Sequence, residues 1–179
     1  MTEDERRQAF SQAFIAQARS DWAVHRILAE RDVVAACHEL HYLQMACEKL
    51  AKAYRLRDTD SPVEEVLSRH TGFAKFIGPF FAAVLKDEYR GKDAQLRGLI
   101  SRARALAREI ERLAPATDRV AWPENAEYPW ERDGRVIAPC TYGFPALELL
   151  RRPGGRAFLN LVERALHGFT MRDAHGGGP

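Results

Sequence analysis

Residues 33 to 56 place apolar side chains on two sides of one helix, and that feature limits the fold more than any other. At 100° per residue, Ala36, Leu40, Leu43, Ala46, Cys47, Leu50 and Tyr54 make one arc. The opposite side carries Val34, Cys37, His41, Met45, Glu48 and Lys52, a mixture of apolar and polar groups. A helix that is apolar on more than one side sits at the centre of a bundle or at a subunit interface. The chain has 179 residues, enough to surround such a helix within a single domain.

The flanking segments supply the surroundings. Residues 3 to 30 read as a long helix, with Thr2 or a neighbour as cap and Glu3, Asp4 and Glu5 suiting its positive end. Phe10, Phe14, Ala18, Trp22, His25 and Leu28 form its core face. "DTDSPVEEV" predicts a short helix to about residue 69, with Ser61 and Glu64 as a capping box and Pro62 at the first helical position. The segment after His70 predicts a helix kinked or broken at Gly78-Pro79. Residues 91 to 114 predict an amphipathic helix, ended by Pro115, with Arg97, Arg102, Arg104, Arg108 and Arg112 largely outward. Residues 115 to 146 change character: prolines and aromatics argue against helix, and Asp133-Gly134 admits a small hairpin with "RVIA" as its second strand. Helix returns in "PALELL", breaks at "RPGG" and resumes from Arg156 to His167.

The expectation is an all-α, up-and-down bundle of four to six helices with one long Pro/aromatic-rich loop. It forms a single domain over residues 1–170, and residues 171–179 form a disordered tail. Charged residues are 29% and the net charge is +2, so global charge demands no nucleic-acid partner. The N-terminus lacks a signal-peptide apolar core and no apolar run reaches the roughly 20 residues of a membrane span, so a cytoplasmic protein without a membrane partner is expected. Cys37, Cys47 and Cys140 read as free thiols.

Several side-chain groups could carry chemistry. Cys37, His38, His41, Cys47 and His70 lack the paired spacings of structural zinc, and neither metal nor cofactor is expected. His25 on an apolar arc reads as a hydrogen-bonded core residue. His41, Glu48 and Lys52 fall within about 40° around one helix. They form either a solvated ion-paired stripe or an acid–base and phosphate-orienting group. Arg97, Arg104 and Arg108 form either a mixed charged face or a stripe for nucleic-acid phosphates. Tyr128, Trp130 and Tyr142 either stack on bases or plug the loop onto the bundle.

"ACHELHYLQMACEKLAKAYRL" resembles the helix typical of HEPN domains, with Glu48-Lys49, then Lys52-Ala53. "RHTGFAKFI", with His70, and "NAEYPW", with Tyr128-Pro129, stand where that family has its next markers, over roughly residues 8 to 166. The resemblance implies a small helical bundle, often a homo-oligomer, acting with RNA, a nucleotide or a partner protein encoded nearby in a prokaryotic toxin–antitoxin or defence system. It also implies two alternatives: a metal-independent endoribonuclease, or a purely structural interaction subunit. Catalytic members of the family carry an Arg, four to six residues, then a His late in the bundle. Here Arg19/His25 and Arg31/His38 have that spacing but lie early, and the late Arg164 and His167 have two residues between them. In the ribonuclease alternative, His41 or His167 is the acid or base, and Arg164 or Lys52 stabilises charge on phosphate.

Overall fold

The computed structural model describes residues 1–31, 33–58 and 61–170; the expected tail lies outside them. Seven α-helices are present among these residues: α1 (Glu3–Ala29), α2 (Ala36–Asp58), α3 (Val63–Ser68), α4 (Phe73–Leu85), α5 (Asp93–Arg112), α6 (Pro145–Arg151) and α7 (Pro153–His167). The count exceeds the expected four to six, because the short α3 and the α6–α7 break each make a separate element.

α1 begins at a complete capping box. Thr2 Oγ1 accepts from the Glu5 amide, and the Glu5 carboxylate accepts from the Thr2 amide at 2.7 Å. α1 and α2 run antiparallel, as three ties of falling and rising number show. Ser11 Oγ donates to the Ala53 carbonyl at 2.8 Å, Lys49 Nζ reaches Asp21 at 2.5 Å, and His25 Nδ1 lies 3.2 Å from the Glu39 carbonyl. α7 lies antiparallel to α1, where Arg19 Nε donates to the Leu166 carbonyl and Arg26 pairs with Glu163. Tyr54 completes this group by donating its hydroxyl to the Ala165 carbonyl at 2.9 Å.

α2 is the central helix. It touches α1, α3, α4, α5 and α7, and its buried residues include Leu40, Leu43, Leu50, Tyr54 and Leu56. Phe81 and Ile77 of α4, Ile110 of α5, and Phe158 and Leu166 of α7 close the same core. The two apolar sides seen in the sequence are therefore both covered within one chain.

Two local expectations are corrected. Ser61 does not cap α3; Pro62 holds the cap position without a side-chain bond, and the Ser61 hydroxyl accepts from Arg55 at 3.3 Å instead. α4 is not broken at Gly78-Pro79: it continues through Pro79, which is exposed and so forfeits a helix bond on the open side. The hairpin forms as expected, with β1 (Trp130–Arg132) and β2 (Arg135–Ile137) antiparallel and Glu131 opposite Val136. Asp133 (φ 52°) and Gly134 (φ 71°) are both left-handed, the requirement of a type I′ turn. No helix among the described residues is long and apolar enough to cross a membrane.

Candidate functional site

α2 sets Gln44, Glu48 and Lys52 on successive turns, and Glu48 is the hub. Its Oε2 accepts from Gln44 at 3.0 Å. Its Oε1 lies 3.1 Å from Lys52 Nζ and 3.1 Å from His70 Nδ1. Lys52 is 8% exposed; it also donates to the Leu67 carbonyl at 3.1 Å and sits 5.5 Å from the Phe14 ring centre. His70, from the α3–α4 connection, is exposed, with only Nδ1 engaged among the described residues. A carboxylate that holds one ring nitrogen orients the other toward whatever approaches.

His41 does not join this group. It shares the angular position of Glu48, but seven residues of helix place it about 10 Å away along the axis. There the long loop covers it: His41 Nδ1 lies 3.4 Å from Glu127 Oε1, close enough for an ion pair but without hydrogen-bond alignment. The helical arc thus gave the bearing of His41 and not its distance. The partner that takes its place, His70, lies across a turn, where periodicity carries no information; it had been marked by the family resemblance and weighed as a zinc ligand, but not as a partner of Glu48.

Beside Glu48 and Lys52 opens a cleft of about 1000 Å³ between α2 and α4. Tyr54, Phe76 and Phe80 form its floor, with ring centres 4.9 to 5.3 Å apart. Arg57, Arg69 and Lys75 stand on its rim. Arg57 stacks on Tyr54 at 4.3 Å and pairs with Asp58 at 2.7 Å. Arg69 and Arg55 share Glu65, at 3.0 and 2.7 Å. Burial pushes the Tyr54 hydroxyl above its ordinary range. A second cavity of about 540 Å³ shares Tyr54, Arg57, Phe80 and Val84 with the first and reaches Glu163, Arg164 and His167. Arg164 is paired with Glu88 at 2.6 Å. Glu48 and Lys52 therefore line the first cavity, Arg164 and His167 the second, and Tyr54, Arg57, Phe80 and Val84 border both.

α4 and α5 pack antiparallel. The amides of Gly72 and Phe73 donate to Glu111, the latter at 3.0 Å, and the Arg104 guanidinium lies directly over Gly78. Continued along the pair, this register sets Lys75 across from Arg108 and Lys86 across from Arg97. Arg97, Arg104 and Arg108 lie within about 40° of one another around α5. All five cations are exposed, and none forms an ion pair among the described residues. The α5 acids are placed elsewhere or occupied: Glu109 pairs with Arg112 at 2.6 Å, and Glu111 caps α4. Only Asp93 stands at the end of the stripe.

The loop aromatics divide. Trp130 is 7% exposed, edge-on to Tyr142 at 5.0 Å and 6.3 Å from Phe144, so it plugs the loop onto the bundle and offers no open face. Tyr128 is 60% exposed. Asn125 folds the turn that leads into them: its Nδ2 donates to the Pro123 and Tyr128 carbonyls, and its Oδ1 accepts the Glu127 and Tyr128 amides. His25 is buried against α2, as its arc implied, and burial lowers its pKa below 6.5. Cys37 and Cys47 are buried, and burial raises both thiols; Cys140 is exposed. Among the described residues, no three His, Cys, Asp or Glu side chains converge on one point. No family model, no curated protein and no solved structure matches this chain.

Proposed function

We propose that this chain is a HEPN-like helical module that binds the phosphates of RNA along the α4–α5 seam. No catalysis is assumed, and the setting is the prokaryotic toxin–antitoxin or defence context that the resemblance implies. One observation carries the reading: Lys75 of α4, Lys86 just after it, and Arg97, Arg104 and Arg108 of the antiparallel α5 are exposed and have no acidic partner among the described residues. Arg97 and Arg108 are eleven residues apart, about 16 Å along α5, a length that spans two to three phosphates of an extended strand. Unneutralised cations in a row release counterions when phosphates replace water, so affinity falls with salt. The test is anisotropy of labelled single-stranded RNA across a salt series. For three to five phosphate contacts the log–log slope is about −2 to −3.5, and Arg104→Glu with Arg108→Glu flattens it by more than one unit. A salt-independent slope, or one unchanged in that double variant, removes the reading.

The Glu48–His70 pair favours a second reading, a divergent metal-independent ribonuclease. There His70, oriented by Glu48, exchanges the proton of a ribose hydroxyl, and Lys52 stays beside the pair as fixed positive charge. RNA cleavage in the presence of EDTA that disappears in His70→Ala, while RNA binding persists, supports it. Cleavage surviving that substitution excludes this pair as its source.

A further inference from the structure

Two thiols meet where the long loop crosses the start of α2. Cys37 is the second residue of that helix and is 3% exposed. Cys140 is the middle residue of the turn at Pro139–Thr141, which packs on α2, and it is exposed. We propose that Cys37 and Cys140 form a reversible disulfide, installed by a peroxide, that pins the loop to the first turn of α2. The proposal is independent of the RNA-binding reading, which uses neither sulfur.

The turn is a firm mount for Cys140. Pro139 beside it is buried, the Tyr142 amide donates to the Pro139 carbonyl at 3.2 Å, and the Thr141 hydroxyl donates to the Ala138 carbonyl at 3.1 Å. One turn along α2 from Cys37, His41 meets Glu127 of the same loop at 3.4 Å. The loop therefore runs along the Cys37–His41 side of the helix and does not touch it at one point alone. The Cys37 sulfur faces the amides of Cys37 and His38 at the helix start, and the charge of Cys140 reaches it. Burial raises the Cys37 thiol above its ordinary range, Cys140 raises it further, and the two amides pull it part of the way back. Cys47 stands apart: it is 1% exposed and ten residues further along α2, roughly 15 Å away.

Access divides the labour between the two sulfurs. Cys140, at the surface, meets the oxidant first. Its thiolate attacks one peroxide oxygen, the O–O bond breaks, and hydroxide leaves to take up a proton as water. The product is a sulfenic acid. The Cys37 sulfur then attacks the Cys140 sulfur. The S–S bond forms as the S–O bond breaks, and the departing hydroxyl leaves as water with the Cys37 proton. Two thiols are oxidised, and one peroxide is reduced to two waters. A buried thiol that keeps its proton until this step is suited to resolve the intermediate and not to start it. The bridge closes a loop of about 100 residues, so it removes much freedom from the unfolded chain. Where thiols are kept reduced, such a bridge registers oxidant and is not a permanent staple.

The experiment uses the full chain, reduced and then exposed to hydrogen peroxide. Mass spectrometry of the unfolded, alkylated product should show the loss of two hydrogens and a linked Cys37–Cys140 peptide pair, with Cys47 the thiol left to alkylate. The oxidised monomer should melt about 4 °C or more above the reduced one, and dithiothreitol should reverse both changes. Cys140→Ser, at an exposed site, keeps the reduced parent's midpoint and loses the peroxide-dependent shift. Cys37→Ala leaves Cys140 as a sulfenic acid that dimedone traps, an adduct the native chain does not accumulate. If Cys37→Ala does not fold, the peptide map and the Cys140→Ser comparison still decide. Cys140 of the native chain bridged to a second copy, oxidised on to sulfinic acid, or left as a thiol would each overturn the proposal. A Cys37–Cys140 bridge that leaves the midpoint unchanged would overturn the pinning of the loop.

Discussion

His25 shows what a single buried imidazole does to a stability curve. It is sealed between α1 and α2, 5.2 Å from the Trp22 ring, with Nδ1 on the Glu39 carbonyl. Burial holds its folded pKa below the 6.5 of the open chain. Below pH 6.5 the unfolded chain therefore takes the proton first, and stability drains away as pH falls from 6.5 through the folded value. Denaturant titrations of the native chain and His25→Gln should differ most in their slope just below pH 6.5, with the variant flatter. Equal slopes would mean that His25 does not stay neutral in the fold. Its burial was legible from the arc with Phe14, Ala18 and Trp22. Its partner was not, because a backbone carbonyl on another helix leaves no mark in a sequence. Glu48 teaches the same limit from the other side. Its i, i+4 bond to Lys52 follows from spacing, whereas its bond to His70 bridges 22 residues and a chain reversal.

Among the elements, the α6–α7 elbow makes the sharpest demand on a residue type. A Cβ on Gly155 would meet the Leu149 carbonyl oxygen and the backbone of Leu150, neither of which can swing aside. Gly155→Ala should cost about 1–3 kcal/mol, the usual range for overpacking a close contact, as read by urea unfolding. Gly154, one residue earlier, faces open space, so Gly154→Ala is the matched control and should be near neutral or better. "RPGG" marked a break, but only the fold distinguishes its two glycines. The type I′ turn was legible because Asp-Gly is itself the geometric requirement. Gly134→Val should destabilise by about 1 kcal/mol or more through its left-handed backbone. The continuity of α4 was not legible. Pro79 costs one helix bond, and the burial of Ile77, Phe81 and Leu85 on the far side holds the helix together across it.

At the scale of the molecule, the second side of α2 is covered by three pieces of its own chain. The turn at Pro139–Thr141 packs on α2, Glu127 meets His41, and α3 with the connection after it meets Lys52 and Glu48. The residue pattern left open whether this side would be solvated or covered, and it could not name the cover, since all three pieces are distant in sequence. The last piece to arrive is α7. Tyr54 must wait for the Ala165 carbonyl, a separation of 111 residues, and Arg19 for Leu166, a separation of 147. A chain ending at residue 150 should keep much helix by circular dichroism yet lose its cooperative melt, because α7 supplies Phe158, Val162 and Leu166 to the core. During synthesis at roughly 5–20 residues per second, the surface of α1 and α2 that meets α7 stands open for roughly 5 to 20 seconds after Tyr54 is made. The clasp of α7 onto α1 thus makes completion of this fold wait until α7 itself has been made. Until then the nascent chain is a client for whatever shields apolar helices.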